Sequence, residues 1–145
     1  MKRREKFKEQ VQRNLVALIS LFIAVSSLGY NTWRNEKSEY NRNQRWASFE
    51  LLLQLGELRE LVYHLHYDQD TIGEDAARTG WAKVFTIRDL TEVLEEPLPS
   101  SAQALHATWG DNWQGLGSDV QSKDAIEDQI DALRDVTLEM LRELD

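Results

Sequence analysis

His64, His66, Asp68 and Asp70 fall within seven residues, and imidazole with carboxylate is the donor set of a transition-metal site. Spacing limits what they can do together. His64 and Asp68 are four apart and share a helix face, as do His66 and Asp70. Residues two apart on a helix diverge by about 200°, so one helix cannot aim both pairs at one ion. The pattern reads as the polar end of a helix, with His66 favourable beside the C-terminal dipole. Asp68-x-Asp70-x-Ile72-Gly73 resembles the start of an EF-hand loop. Its fifth position is Ile72 and its twelfth Thr79, where a calcium loop needs oxygen ligands. Ser100, Ser101 and His106 are close in sequence, but no Gly-x-Ser-x-Gly surrounds them, and both serines suit helix caps better. Neither a phosphate loop nor a dinucleotide fingerprint occurs. Trp109-Gly110-Asp111-Asn112-Trp113 could stack on a sugar or peptide if exposed. Four residues apart, its two rings share a face, which fits burial. The sequence therefore predicts no catalytic set, no metal and no cofactor. Trp109, Trp113, His64 and His66 remain the candidate ligand contacts.

The most specific feature lies upstream. Residues 14–33 contain no charged side chain, and nine of them are large aliphatic residues or Phe, from Leu15 to Leu28. Twenty helical residues reach roughly 30 Å, the thickness of a hydrocarbon core. The nine contribute on the order of −3 to −5 kcal/mol towards insertion. Tyr30 and Trp33 occupy the place of an interfacial aromatic belt. Six Lys or Arg precede the segment and four follow it closely, Arg34, Lys37, Arg42 and Arg45. That bias predicts a cytoplasmic N-terminus, a single-pass anchor in a bacterial inner membrane and a periplasmic C-terminal domain. The rival is a cleaved signal peptide over residues 1–26, because Leu15–Val25 has the length of an h-region and Ala24-Val25-Ser26 has small residues. No Pro or Gly breaks the helix before that point, and hydrophobicity resumes at Leu28. Both readings export the domain.

Charge separates sharply along the chain. Of the net −8, residues 1–13 carry +4 and residues 34–145 carry −12. The basic tail suits anionic lipid. An acidic domain lacks the basic face that releases counterions from phosphate, so nucleic acid is excluded as a partner. The chain has no cysteine, which removes disulfides, thiolate metal sites, thiol catalysis and a lipidated anchor.

The elements that follow read as helices only. Pro97 and Pro99 stand together, and no run shows apolar alternation with β-branched residues. Helix one is predicted to continue from the membrane segment to about Tyr67, with Trp46, Phe49, Leu51, Leu52, Leu53, Leu55, Leu58, Leu61, Val62 and Leu65 as core residues. A polar turn over 68–80 leads to helix two, about Trp81 to Leu94, ended by Glu95-Glu96-Pro97. Ser100 with Gln103 predicts a capping box for helix three, whose buried side is Leu105, Trp109 and Trp113. Ser118 with Gln121 predicts the same device for helix four. Helix four carries Ile126, Ile130, Leu133, Thr137, Met140 and Leu144 at heptad spacing, its intervening charges forming a solvated face. The expected fold is all-α: one transmembrane helix, then a small extracytoplasmic four-helix bundle. The domains are a tail over 1–13, the membrane helix over 14–33, a polar stalk over 34–45 and the bundle over 46–145.

The stalk is polar on nearly every side, so it either bridges space or meets a partner. Trp33, Lys37, Tyr40, Gln44, Ala47 and Leu51 keep spacings of 4, 3, 4, 3, 4. Lys37, Tyr40 and Gln44 are the candidate partner surface, for another protein or a second copy; the alternative is a solvated spacer. Tyr30-Asn31-Thr32-Trp33-Arg34-Asn35-Glu36, Phe49-Glu50-x-Leu52, His66-Tyr67-Asp68 and Gly80-Trp81 resemble a group of short single-pass envelope proteins of proteobacteria. The resemblance implies an inner-membrane and periplasmic setting and carries no activity. The expected function is a non-catalytic, membrane-anchored helical protein assembling with itself or with an envelope complex. The alternative is a ligand-sensing bundle, similar in outline to the periplasmic domains of chemoreceptors, signalling through a membrane partner. A metal-dependent enzyme would rest on the His64–Asp70 cluster alone.

Overall fold

The computed structural model describes residues 2–68 and 74–144, with side chains over 10–68 and 75–144. All regular structure among them is helical: α1 (Lys2–Tyr67), α2 (Glu74–Thr91), α3 (Leu98–Asn112) and α4 (Val120–Glu143), with a 3-10 turn at Trp113–Gly115. The chain divides into two compact units, residues 1–40 and 41–145.

The first unit is helical and apolar along its middle. Leu15, Val16, Leu18, Leu21, Phe22, Ile23, Val25 and Leu28 are all exposed. α1 is long and apolar enough to cross a membrane.

The second unit holds one core to which all four helices contribute. α1 supplies Leu51, Leu55, Leu58, Val62 and Leu65; α2 supplies Val84 and Ile87; α3 supplies Leu98, Ala102, Leu105 and Trp109; α4 supplies Ile126, Ile130 and Leu133. The heptad series of α4 is what packs inward. Its polar member Thr137 is fully buried and donates its hydroxyl to the Leu133 carbonyl at 2.7 Å, so burial leaves no unpaired donor. Polar links tie the helices around this core. Lys83 on α2 meets Glu57 on α1 at 2.6 Å, and Arg59 on α1 pairs with Asp131 on α4.

Several local expectations are corrected. Helix two begins at Glu74, not Trp81, so Gly80 lies inside it. That glycine admits a neighbour: a Cβ there would stand 2.1 Å from Trp109 Cζ2. Helix three starts at Leu98 with Pro97 before it and Pro99 in its first turn, where a missing N–H costs nothing. Ser100 therefore sits within the helix and donates to Glu96 Oε2 at 2.7 Å instead of capping. Helix four is capped by Asp119, not Ser118. The Asp119 carboxylate accepts from the backbone N–H of Gln121 at 3.1 Å and of Ser122 at 3.0 Å. The charges of helix four are not all solvated. Lys123 is 9% exposed, held by Asp124 at 2.6 Å and Glu127 at 2.8 Å, which raise its pKa.

Two corrections concern α1. Trp46, Phe49 and Leu53, expected in the core, are 67%, 63% and 56% exposed. The reason is geometric: the core seam runs through Gln44, Ser48, Leu51, Leu55, Leu58, Val62 and Leu65, and these three lie off it. Gln44, expected on the partner surface, is 5% exposed, and its Nε2 donates to the Val93 carbonyl at 2.8 Å.

The glycines yield a paired prediction. Gly80→Ala forces Trp109 to move and costs about 1–3 kcal/mol. Gly56→Ala meets nothing within 4 Å and gains up to about 1 kcal/mol of helix propensity. Thermal unfolding of the full chain in detergent, followed by circular dichroism, should show Tm falling for the first and holding or rising for the second.

Candidate functional site

In the first unit, aromatic and basic side chains close the apolar run. Tyr30 and Trp33, one turn apart, pack their rings at 6.1 Å between centroids, and Lys37 Nζ lies 6.0 Å from the Trp33 ring. Both rings are more than half exposed, and Tyr40 is 43% exposed. An indole and a phenol beside an ammonium present an apolar body and polar tips to one side of the helix, the chemistry of a headgroup layer. Of the expected partner residues, Lys37 and Tyr40 belong to this unit and Gln44 to the core of the other.

The histidines near the end of α1 go different ways. His64 Nδ1 lies 2.8 Å from Asp68 Oδ2, and its Nε2 lies 3.8 Å from Glu60 Oε1. The Asp68 hydrogen bond, then the charges of Asp68 and Glu60, raise the His64 pKa above its ordinary 6.5. His66 instead turns into the fold. Its Nδ1 donates to the Leu116 carbonyl at 2.8 Å, and its ring meets Tyr67 edge-on at 4.8 Å. One imidazole thus closes a helix end, and the other ties α1 to the turn before α4. Asp70, with Ile72 and Gly73 of the EF-hand-like stretch, lies outside the described residues. Among the described residues, no three His, Asp or Glu side chains converge as a metal set.

Trp109 is fully buried and packs over Gly80, while Trp113 is partly buried at the 3-10 turn. The Trp109 ring therefore supports the core and offers no face to a ligand. Sequence reasoning missed a different aromatic group. Trp81, Phe85 and His106 place their rings 5.4–5.6 Å apart across α2 and α3, and the Arg88 guanidinium lies 5.0 Å from the Phe85 ring. Trp81 and Phe85 are four apart, so their shared face was legible. That His106 joins them was not, because it depends on how α3 packs on α2. The indole and imidazole of this group are partly buried, and the rings satisfy one another by edge and tilted contacts.

At Asp119, hydrogen bonds from Ser122 and the Gln121 amide hold the carboxyl below the usual range. A depressed carboxyl stabilises the fold above its unfolded pKa, and that contribution is lost as pH falls through the folded pKa. His64 has the opposite sign. Its contribution is complete below about 6.5 and disappears as pH rises through its elevated folded pKa. Proton NMR should find His64 titrating above an unstructured histidine, and Asp68→Asn should bring it back towards 6.5. Asp119→Ala should lower Tm at neutral pH and lose that effect in acid.

No protein-family model, no curated protein and no solved structure matches the chain.

Proposed function

We propose that the chain is a single-pass membrane protein whose apolar helix anchors a small helical bundle on the periplasmic side of a bacterial inner membrane, and that it works by binding protein, not by catalysis. The observation that carries this reading is the exposed apolar run of the first unit. Its nine large side chains from Leu15 to Leu28 are 51–72% exposed. Each is worth about 1.5–3 kcal/mol when fully buried, so water contact would forfeit on the order of 10 kcal/mol. A solvent of hydrocarbon removes that cost, and every backbone group of the segment is already paired within its helix.

Charge supports the orientation. The +4 segment precedes the run, and the −12 domain follows it. Tyr30, Trp33 and Lys37 mark the outer interface. Support for a role in assembly comes from the chemistry of the domain. His64, His66 and the buried Lys123 take polar partners and the Trp109 ring fills the core, whereas large apolar side chains remain outward. The domain then serves as an accessory subunit of an envelope complex or as a homo-oligomer.

The absence of native cysteine makes topology easy to read. In spheroplasts, Gln121→Cys should react with a membrane-impermeant maleimide, and Lys6→Cys should react only after permeabilisation. The reversed pattern overturns the orientation. Extraction by alkaline carbonate overturns the anchor, and an intact mass lacking residues 1–26 converts it into a cleaved leader. Brief crosslinking in the native membrane, followed by purification, should recover a stoichiometric protein partner or a homo-oligomer.

A further inference from the structure

Within the second unit, α1 has two apolar seams. One is buried in the core. The other runs along Trp46, Phe49, Leu53, Gly56, Tyr63 and Tyr67, with Glu60 between Gly56 and Tyr63. Its steps, Glu60 included, are 3, 4, 3, 4, 3 and 4 residues, the heptad repeat of a coiled coil. The side chains at 46, 49, 53, 63 and 67 are 43–67% exposed, with the Tyr63 hydroxyl interacting with Glu127 on α4. Gly56 has open space around its Cβ position. It costs about 1 kcal/mol of helix propensity against alanine, with no neighbour inside the chain to require it. The open space it leaves lies on the outward seam.

We propose that this second seam is the dimer interface between two copies of the chain, packed in parallel through α1. The inference rests on the anchored reading above, since two copies held by the same N-terminal segment enter from the same side. Charge then selects the occupant and its direction. Residues 42–60 hold three arginines and three glutamates, so this stretch is neutral, while residues 61–145 carry the entire −12. This stretch of α1 therefore adds no net repulsion of its own between two copies. With Trp46 as an a position, Arg45 falls at g and Glu50 at the following e. In a parallel pair, g faces the second copy's next e, so Arg45 meets Glu50 twice, once on each side of the two-fold axis. In an antiparallel pair, e faces e and g faces g, so Arg45 and Glu50 lose each other; Glu57 and Arg59 take no part in the choice, being paired with Lys83 and Asp131 within the chain. Glu60, also an a position, meets its own copy in a parallel pair, and the two carboxylates make that one layer of the seam costly.

The test uses the full chain in its native membrane. Phe49→Cys and Gly56→Cys, made singly in the cysteine-free background, should each oxidise to a homodimer of twice 16.9 kDa. Gln103→Cys, exposed on α3, measures random collision and should stay monomeric. Only a parallel, in-register pair gives disulfides at both 49 and 56. Phe49→Glu with Leu53→Glu should reduce crosslinking of Gly56→Cys at least tenfold. Helicity should be unchanged, because both replaced side chains are more than half exposed. Dimer at 56 but not at 49 overturns the parallel register. Adducts containing a different protein, or adducts no more abundant than at 103, overturn the second copy as occupant. Monomer in the membrane pellet overturns the seam and leaves the anchor standing. Dimer in the soluble fraction supports the seam and overturns the anchor.

Discussion

The burial of one face of α1 against three shorter helices is the contact on which the described fold depends. Leu51, Leu55, Leu58 and Val62 are each 0–1% exposed, and α2, α3 and α4 all contribute buried apolar side chains to the same core. Most of the stability of helices like these three comes from packing an apolar face. The cross-links at the edge of this seam are polar and specific: Gln44 to the Val93 carbonyl, Glu57 to Lys83, Arg59 to Asp131 and His66 to the Leu116 carbonyl. Each comes from α1 and reaches a different part of the chain, so they set where the other helices sit along it. Apolar burial supplies the stabilisation, and these bonds supply the register.

A helix shows only part of its circumference to a core of this size. α1 carries more apolar residues than that part can hold, which explains how so leucine-rich a segment leaves Trp46, Phe49 and Leu53 outside. A monomer rarely keeps such a run exposed without a use for it. One face of α1 holds the fold, and the other is the face proposed for association.

Element type was legible throughout, because long stretches with 3.6-residue periodicity and two neighbouring prolines leave little room for strands. The inward face of α4 was equally legible, since Ile126, Ile130, Leu133 and Thr137 form one stripe with charge around it. The ends of helices were less so. Ser100 and Ser118 have the residue type of a cap and lose the role to their neighbours. Pro97 and Pro99 start α3 two residues earlier, and Asp119 offers two oxygens where serine offers one. Gly80 looks like a breaker in one dimension. In three it is a recess for Trp109, a reason that exists only once α3 lies on α2. For α1, composition showed that the helix was apolar but not which of two seams would face inward. Both have heptad spacing, and only packing against the other helices separates them. The aromatic group of Trp81, Phe85 and His106 was hidden for the same reason.

The placement of charge fits that division. An acidic surface keeps a small helical domain soluble and repels copies that approach at random. If the whole domain were acidic, self-association would be suppressed on every face. Instead the arginines at 42, 45 and 59 are set among the glutamates of the same stretch, and the excess acid is confined to the sequence beyond it. The outward apolar residues, the glycine without a packing partner and the local neutrality all fall on one segment of one helix. Any one of them alone has an ordinary explanation: a stray exposed ring, a tolerated glycine, a chance balance of charge. Their coincidence on a single heptad stripe is what a face built to meet another helix requires.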